Sequence, residues 1–332
     1  MKRIVTLLVC AIICIPNIIS AYGQTKYVED KPLYNISGTL KAIGSETLQP
    51  IMKLWGKKFR SYHPNITISF NAEGSVTAPP ALISGDSNLA PMSRKMTDQE
   101  VKKFDNKFGY KPVFVRVALD ALAIYINKNN PLNGITLQQL DGIFSSTYSC
   151  RGKNITKWGS LLFGSLSDQS INIYGRNNLS GTYAYFKRKA LCGGEYKTNI
   201  EEFKEQDDII NAVANDISGI GYGGLGYRRT GIKILALANH EDDAFIPYYV
   251  EKYKNDPDPT KRHANIFSGK YPLSRFLYIY VNKHPENKLP PVTEEFLRFV
   301  LSRVGQDIVE KTGYIPLPGK IVDSEIKKIS TH

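Results

Sequence analysis

Arg176 stands four residues ahead of Ser180-Gly181-Thr182 in the stretch "YGRNNLSGTYAYFKRKAL". A guanidinium presents a planar fork of donors that matches phosphate or carboxylate oxygens. A serine at a helix start accepts from one or two first-turn amides, and the others point outward where the macrodipole favours negative charge. That combination suits holding an oxyanion rather than transforming one. Tyr183, Phe186, Ala190 and Leu191 recur at helical spacing, which predicts a helix from about Ser180. Gly181 lets another group approach the backbone closely. A surface arginine before an ordinary capped helix would read the same way, so this stretch alone does not separate the two readings.

Two further helix starts carry the same chemistry. In "AIGSETLQPIMKLWGKKF", Leu48, Ile51, Met52, Trp55 and Phe59 form an apolar stripe, and Pro50 must lie in the first turn, which predicts a cap near Thr47. In "NAEGSVTAPPALISGD", Pro79 and Pro80 pin a start near Thr77 with Ser75 just ahead, and Gly85 supplies a stop. Each start follows a strand-like run: "GTLKAIG", "NITISFNAEG" and "QSINIYGR". Strand-then-helix units predict an α/β fold with parallel pairing, in which ligands sit at the carboxyl ends of the strands. A fourth element, "LAPMSRKMTDQEVKKF", places Ser93 and Arg94 in a loop before a helix whose capping box is Thr97 with Glu100.

The elements that must position these residues come from a chain of 332 residues, 42% hydrophobic, enough for about two domains. Residues 1–23 have the pattern of an export signal: Lys2 and Arg3, an apolar run, then Ala21-Tyr22-Gly23. The run is short for a membrane span, and no lipid attachment is expected at Cys10 or Cys14. Removing the segment lowers the formal net charge of +12 by two. Such a basic protein suits anionic partners, but no basic block or zinc-finger spacing points to nucleic acid. Cys150 and Cys192 would remain, and in an oxidising compartment two cysteines suggest one disulfide rather than two buried thiols. The histidines show no metal spacing, so neither metal nor cofactor is expected. Ser180 has no visible base, so an enzyme is not expected either. Gly221, Gly223 and Gly226 fit G-x-G-x-x-G, yet no helix opens there, and packing is the expected role.

These segments resemble the PstS-like phosphate-binding proteins of bacterial phosphate ABC transporters. The resemblance runs in order through "GSETLQPIMKLW", "EGSVTAPPALISGDSNLAPMSRKM", "ALDALAIYINKNNPLNGITLQQLDGIF", "YGRNNLSGTYAYFK", "GIGYGGLGYRR", "YPLSRFLYIYVNK" and "FLRFVLSRVGQDIVEKTGYIPLP". It implies a two-domain periplasmic binding protein of the type II-like α/β class, hinge-linked, with the ligand in the interdomain cleft. The chain would cross between domains near residues 115–120 and 271–278, giving domain 1 from 24–116 plus 277–332 and domain 2 from 117–276. The implied phosphate ligands are Thr47 and Leu48, Ser75 or Thr77, Ser93 and Arg94, and Arg176 with Ser180, Gly181 and Thr182. The implied partners are inorganic phosphate and an inner-membrane ABC permease, with the protein a monomer in the periplasm or secreted.

Two departures from the family pattern bear on selectivity. Some relatives carry an aspartate where Ser93 stands, and that carboxylate accepts the proton of hydrogen phosphate and repels sulfate. Some also have an arginine-orienting aspartate at the place of Asn178. Glu46, a carboxylate beside the proposed cleft, is expected to face solvent, the alternative being that it replaces the missing acceptor. The competing functions are a receptor for another oxyanion such as sulfate, and a surface or adhesive phosphate-binding protein.

Overall fold

A computed structural model describes residues 36–226, 229–256 and 259–330. The expected export signal at residues 1–23 lies outside them. The first part of the chain alternates β1 (Gly38–Ile43), α1 (Gln49–Tyr62), β2 (Ile66–Asn71), α2 (Ala78–Ser84), β3 (Ala90–Met92) and α3 (Asp98–Phe108). The long strand β4 (Val113–Asn127) follows. The middle comprises β5 (Gly134–Thr136), α4 (Leu137–Phe144), β6 (Asn172–Arg176), α5 (Gly181–Ala190), β7 (Glu201–Phe203), α6 (Gln206–Asn215), β8 (Gly219–Gly224), β9 (Ile232–Ile234), β10 (Ala236–Ala238), α7 (Pro259–Arg262) and α8 (Ala264–Phe267). The chain then returns through β11 (Ser274–Val281) to α9 (Pro291–Leu301), α10 (Arg303–Lys311) and α11 (Gly319–Ser330).

The three strand-then-helix units form as the sequence predicts. β1 pairs parallel with β2, and β6 pairs parallel with both β7 and β8. The wider arrangement differs from an all-parallel sheet, because β4 is antiparallel to β11 and to β8, and β11 is antiparallel to β3. The reason lies in connectivity: β4 carries the chain out of the first part and β11 carries it back, so the two run side by side in opposite directions. β4 pairs with β11 through Val113–Ala121 and with β8 through Leu122–Ile126. The register of β11 shifts between Leu277 and Tyr278. Nearly all of β4 is buried, which fits its central place in both pairings.

Helix starts and packing follow from local chemistry. The stripe Leu48, Ile51, Met52, Trp55 and Phe59 is buried, with Trp55 Nε1 donating to Gly305 O at 2.9 Å. The Thr97–Glu100 capping box forms, and Gly85 stops α2 with φ +91°. α11 is tied to β4 by Glu325, whose carboxylate, 0% exposed, accepts from the Arg116 backbone amide and from Arg116 Nε. The G-x-G-x-x-G glycines prove to be packing positions. An added Cβ at Gly221 would meet Ile209 Cγ2 at 2.6 Å, and one at Gly223 would meet the Gln206 side chain at 2.4 Å, so the missing side chains let α6 lie on β8.

Cys150 and Cys192 form the expected disulfide. It ties the segment after α4 to the end of α5, and so holds the helix that starts at Ser180 from its far end. Replacing both cysteines with serine is expected to lower stability by about 2–4 kcal/mol. Thermal unfolding of the variant with and without phosphate checks this: the unfolding temperature should fall, while the phosphate-induced shift should stay close to that of the parent protein.

Candidate functional site

Three helix starts converge on one buried cluster. Ser45 caps a single 3-10 turn, Glu46–Leu48, that leads into α1, and its hydroxyl accepts from the Thr47 amide at 3.2 Å. The cap therefore sits two residues earlier than the Pro50 argument predicts, because a tighter turn is inserted before the helix proper. Ser180 caps α5 and accepts from the amides of Thr182 and Tyr183, leaving the Gly181 amide as the first-turn donor it does not take. Ser75 lies in the loop before α2, and its hydroxyl accepts from the Ser93 amide at 3.1 Å and pairs with the Ser93 hydroxyl at 3.2 Å.

The cluster joins residues far apart in the chain. Thr47 Oγ1 is 3.1 Å from Thr182 Oγ1, and Thr182 Oγ1 accepts from Arg275 Nη2 at 2.9 Å. Ser45, Thr47, Ser75, Ser93, Arg176, Ser180 and Thr182 are all essentially without solvent contact. A Cβ added at Gly181 would lie 2.2 Å from Ser75 Oγ and 2.4 Å from Ser93 Oγ, so only glycine allows the start of α5 to meet the loops before α2 and α3. From the carboxyl end of the chain, the Tyr314 hydroxyl donates to Thr47 O at 2.5 Å and braces the first helix start.

Arg176 leaves the end of β6 and is 1% exposed. Its Nε donates to Phe203 O at 3.4 Å, and its Nη2 donates to Lys204 O and to Glu46 Oε1, the latter at 2.8 Å. Main-chain carbonyls at the end of β7 and just beyond it thus orient the arginine. Asn178, at the place where some relatives have the orienting aspartate, is exposed. Behind Arg176, Tyr222 accepts from its backbone amide at 3.4 Å and stacks on Phe186 with ring centroids 4.0 Å apart. Burial pushes the Tyr222 hydroxyl well above the ordinary tyrosine range, which keeps it neutral in this wall. Nη1 of Arg176 is buried and has no hydrogen-bond partner.

Glu46 overturns the expectation of a solvent-facing side chain. It is 4% exposed, and its Oε1 accepts from Ser180 Oγ at 2.9 Å as well as from Arg176. A second arginine, Arg275, was not legible as a site residue. Its Nε and Nη2 donate to Asp120 Oδ2 at 2.9 and 2.8 Å, while its Nη1 is buried without a partner. Burial raises the Asp120 carboxyl, and the Arg275 charge and hydrogen bonds pull it back. Arg275 sits on β11 in "YPLSRF", where neither a glycine nor a capping residue marks it. The only signal available was a charged residue within an otherwise apolar strand pattern.

Three of the expected ligands are placed differently from their neighbours. The Arg94 guanidinium turns to Glu100 in a two-pronged pair, both contacts 2.7 Å, and also donates to Lys95 O. Burial works against the Glu100 charge, yet the Arg94 and Thr97 hydrogen bonds win and hold its carboxyl below the ordinary value. Thr77 points its hydroxyl at Gly74 O at 2.8 Å, so of the Ser75/Thr77 alternatives Ser75 is the one in the cluster. The Leu48 amide donates to Ser45 O at 3.1 Å within the 3-10 turn. Ser75, Ser93, Arg176, Ser180, Gly181, Thr182 and Thr47 are brought together.

Chemically, the cluster offers hydroxyls, helix-start amides and two buried guanidinium groups with one unsatisfied nitrogen each. Such donors fit an oxyanion, because each buried unpaired donor otherwise carries a desolvation cost. Comparison with known proteins points the same way. Residues 34–304 match the model of the PBP superfamily domain. The chain is 45% identical to the phosphate-binding protein PstS of Pseudomonas aeruginosa over 89% of its own length and 88% of that protein's. It is 30% identical to PstS of Staphylococcus epidermidis over 88% of this chain and 83% of that one. Among solved structures it resembles an ABC-type phosphate transport receptor from Vibrio cholerae, with a TM-score of 0.63, 21% identity, and coverage of 84% of this chain and all of that one. The chain belongs to the PBP superfamily and, within it, to the PstS-like phosphate-binding proteins.

Proposed function

We propose that this protein captures inorganic phosphate in the periplasm, or as a secreted protein, and delivers it to an inner-membrane ABC permease, acting as a monomer and not as an enzyme. The observation that carries this reading is the pair of buried guanidinium groups, Arg176 and Arg275, each with an unpartnered Nη1, beside the helix starts at Ser45 and Ser180. Selection would come from dense, fixed donors in a dry site, where each unmade hydrogen bond costs about 1–3 kcal/mol. Among the described residues no helix is long and apolar enough to cross a membrane. The names of the relatives support the phosphate reading.

The same reading assigns two lobes, residues 24–116 with 277–332 and residues 117–276, that close on the anion about β4 and β11. The switch of β4 from pairing with β11 to pairing with β8, and the register shift at Leu277/Tyr278, support a hinge there. Phosphate would take donors from Thr47, Ser75, Ser93, Arg176, Ser180, Gly181 and Thr182, with Arg275 added to the set. Every contact between Thr47 and Thr182, or between Ser75 and Gly181, spans the two lobes, so the anion would act as their common partner.

Calorimetric titration of the anion-stripped protein with phosphate tests the reading, which fails if no heat of binding is found. Arg176→Ala is expected to weaken phosphate binding by about 2–5 kcal/mol, as for truncation of a desolvated partner of a charge. Arg275→Ala should weaken it as well, and an unchanged affinity would place Arg275 in the hinge alone. Gly181→Val should abolish tight binding while leaving the fold, judged by circular dichroism, intact. Its side chain would occupy the space now filled by Ser75 and Ser93 hydroxyls.

A further inference from the structure

Away from the anion cluster, a second polar contact joins the two proposed lobes. Arg262 ends α7 in the middle lobe, and Glu310 lies in the last turn of α10 in the other. Arg262 Nη2 donates to Glu310 Oε1. The arginine is held on its own side, because its Nη1 donates to Asp256 O and its carbonyl accepts from the Val250 amide at 2.9 Å. The two side chains are 21% and 40% exposed, so water reaches the pair and it can part without uncovering a core.

The turn that follows Glu310 leads to the anion cluster. Thr312 Oγ1 donates to Ile308 O and Val309 O at 3.0 and 2.8 Å. The Gly313 amide donates to Glu310 O at 2.9 Å, and the Tyr314 amide donates to Val309 O at 3.2 Å. Gly313 has φ +80°, the left-handed conformation that closes a helix end of this kind. These bonds fix the position of Tyr314 relative to Glu310. The Tyr314 hydroxyl donates to Thr47 O, and Ile315 exchanges both backbone hydrogen bonds with Leu119 on β4.

The middle lobe also approaches this turn backbone to backbone. A Cβ added at Gly226 would lie 3.0 Å from Thr312 O and 3.1 Å from the Tyr314 ring, and one at Gly313 would lie 3.1 Å from Gly226 Cα. Gly226 is the last glycine of the G-x-G-x-x-G run, and its missing side chain serves this seam between the lobes.

We infer that the turn after α10 is a latch that positions the anion site. With the lobes closed, Arg262 and Gly226 seat residues 310–314, and Tyr314 then holds Thr47 in place. The inference rests on the phosphate and two-lobe readings. Arg262, Glu310 and Gly226 act through Tyr314 and not as ligands. Because the contact forms on closure, it slows release of the anion and leaves capture alone.

The test measures uptake of radiolabelled phosphate and its release into excess unlabelled phosphate, with thermal unfolding alongside, for Glu310→Gln, Glu310→Lys and Gly226→Val. Phosphate binding by the unmodified protein decides the functional reading by itself, and its absence would remove the latch as well. Given binding, release should quicken about threefold in Glu310→Gln, which loses a part-exposed ion pair. It should quicken by about tenfold or more in Glu310→Lys, where Arg262 is repelled. Gly226→Val changes no charge and should quicken release too, by forcing the seam apart. Association rates should stay within about twofold of the parent's. The Glu310 variants should unfold at the parent's temperature when anion-free. Parent-like release from Glu310→Lys or Gly226→Val overturns the inference. So does a loss of stability in anion-free Glu310→Lys equal to that of the loaded protein, which would make the pair an ordinary stabilising contact.

Discussion

A guanidinium removed from water must have its donors met, and much of this site is arranged around how far Arg176 is met and where it is not. The strand end of β6 delivers it, the carbonyls of Phe203 and Lys204 fix its plane, and the Tyr222–Phe186 stack closes the wall behind it. Those contacts use Nε and Nη2 and leave Nη1 without a partner. A fully paired arginine would be a structural bridge, as Arg94 is with Glu100. A partly paired one in a dry cluster retains free energy to be gained from an anion.

The second buried arginine ties the site to the strands that carry the chain between its halves. Asp120 on β4 and Arg275 on β11 face each other across the antiparallel pair, and Arg275 reaches on to Thr182 at the start of α5. Thr182 in turn meets Thr47. A single polar chain thus runs from the crossing strands through one helix start to the other. Every member is buried, so on the proposed two-lobe reading a movement of one lobe against the other would expose or break these contacts together.

The local devices were legible because they depend on neighbours in sequence. Pro50, Pro79 and Pro80 limit where helices begin, Ser180 caps α5, and Thr97 with Glu100 makes a capping box. The apolar stripe from Leu48 to Phe59 gives the buried face of α1. The pairing of Cys150 with Cys192 followed from cysteine number and compartment. The site was less legible wherever a side chain chose between a near and a distant partner. Arg94 has Glu100 six residues away and takes it. Thr77 takes the carbonyl of Gly74. Glu46 looked like a surface carboxylate, because the groups that draw it inward, Arg176 and Ser180, lie about 130 residues on.

The sequence by itself determined the element order, the three oxyanion-suited helix starts and the family, since caps, prolines and hydrophobic periods act over a few residues. Only the tertiary structure decided that these starts meet, that Ser75 rather than Thr77 joins them, that Arg275 belongs to the cluster, and that Glu46 points inward. Those outcomes depend on which buried charge and hydroxyl find each other across the crossing strands. That is settled by desolvation and hydrogen-bond satisfaction in the folded chain, and not by any residue's immediate neighbours.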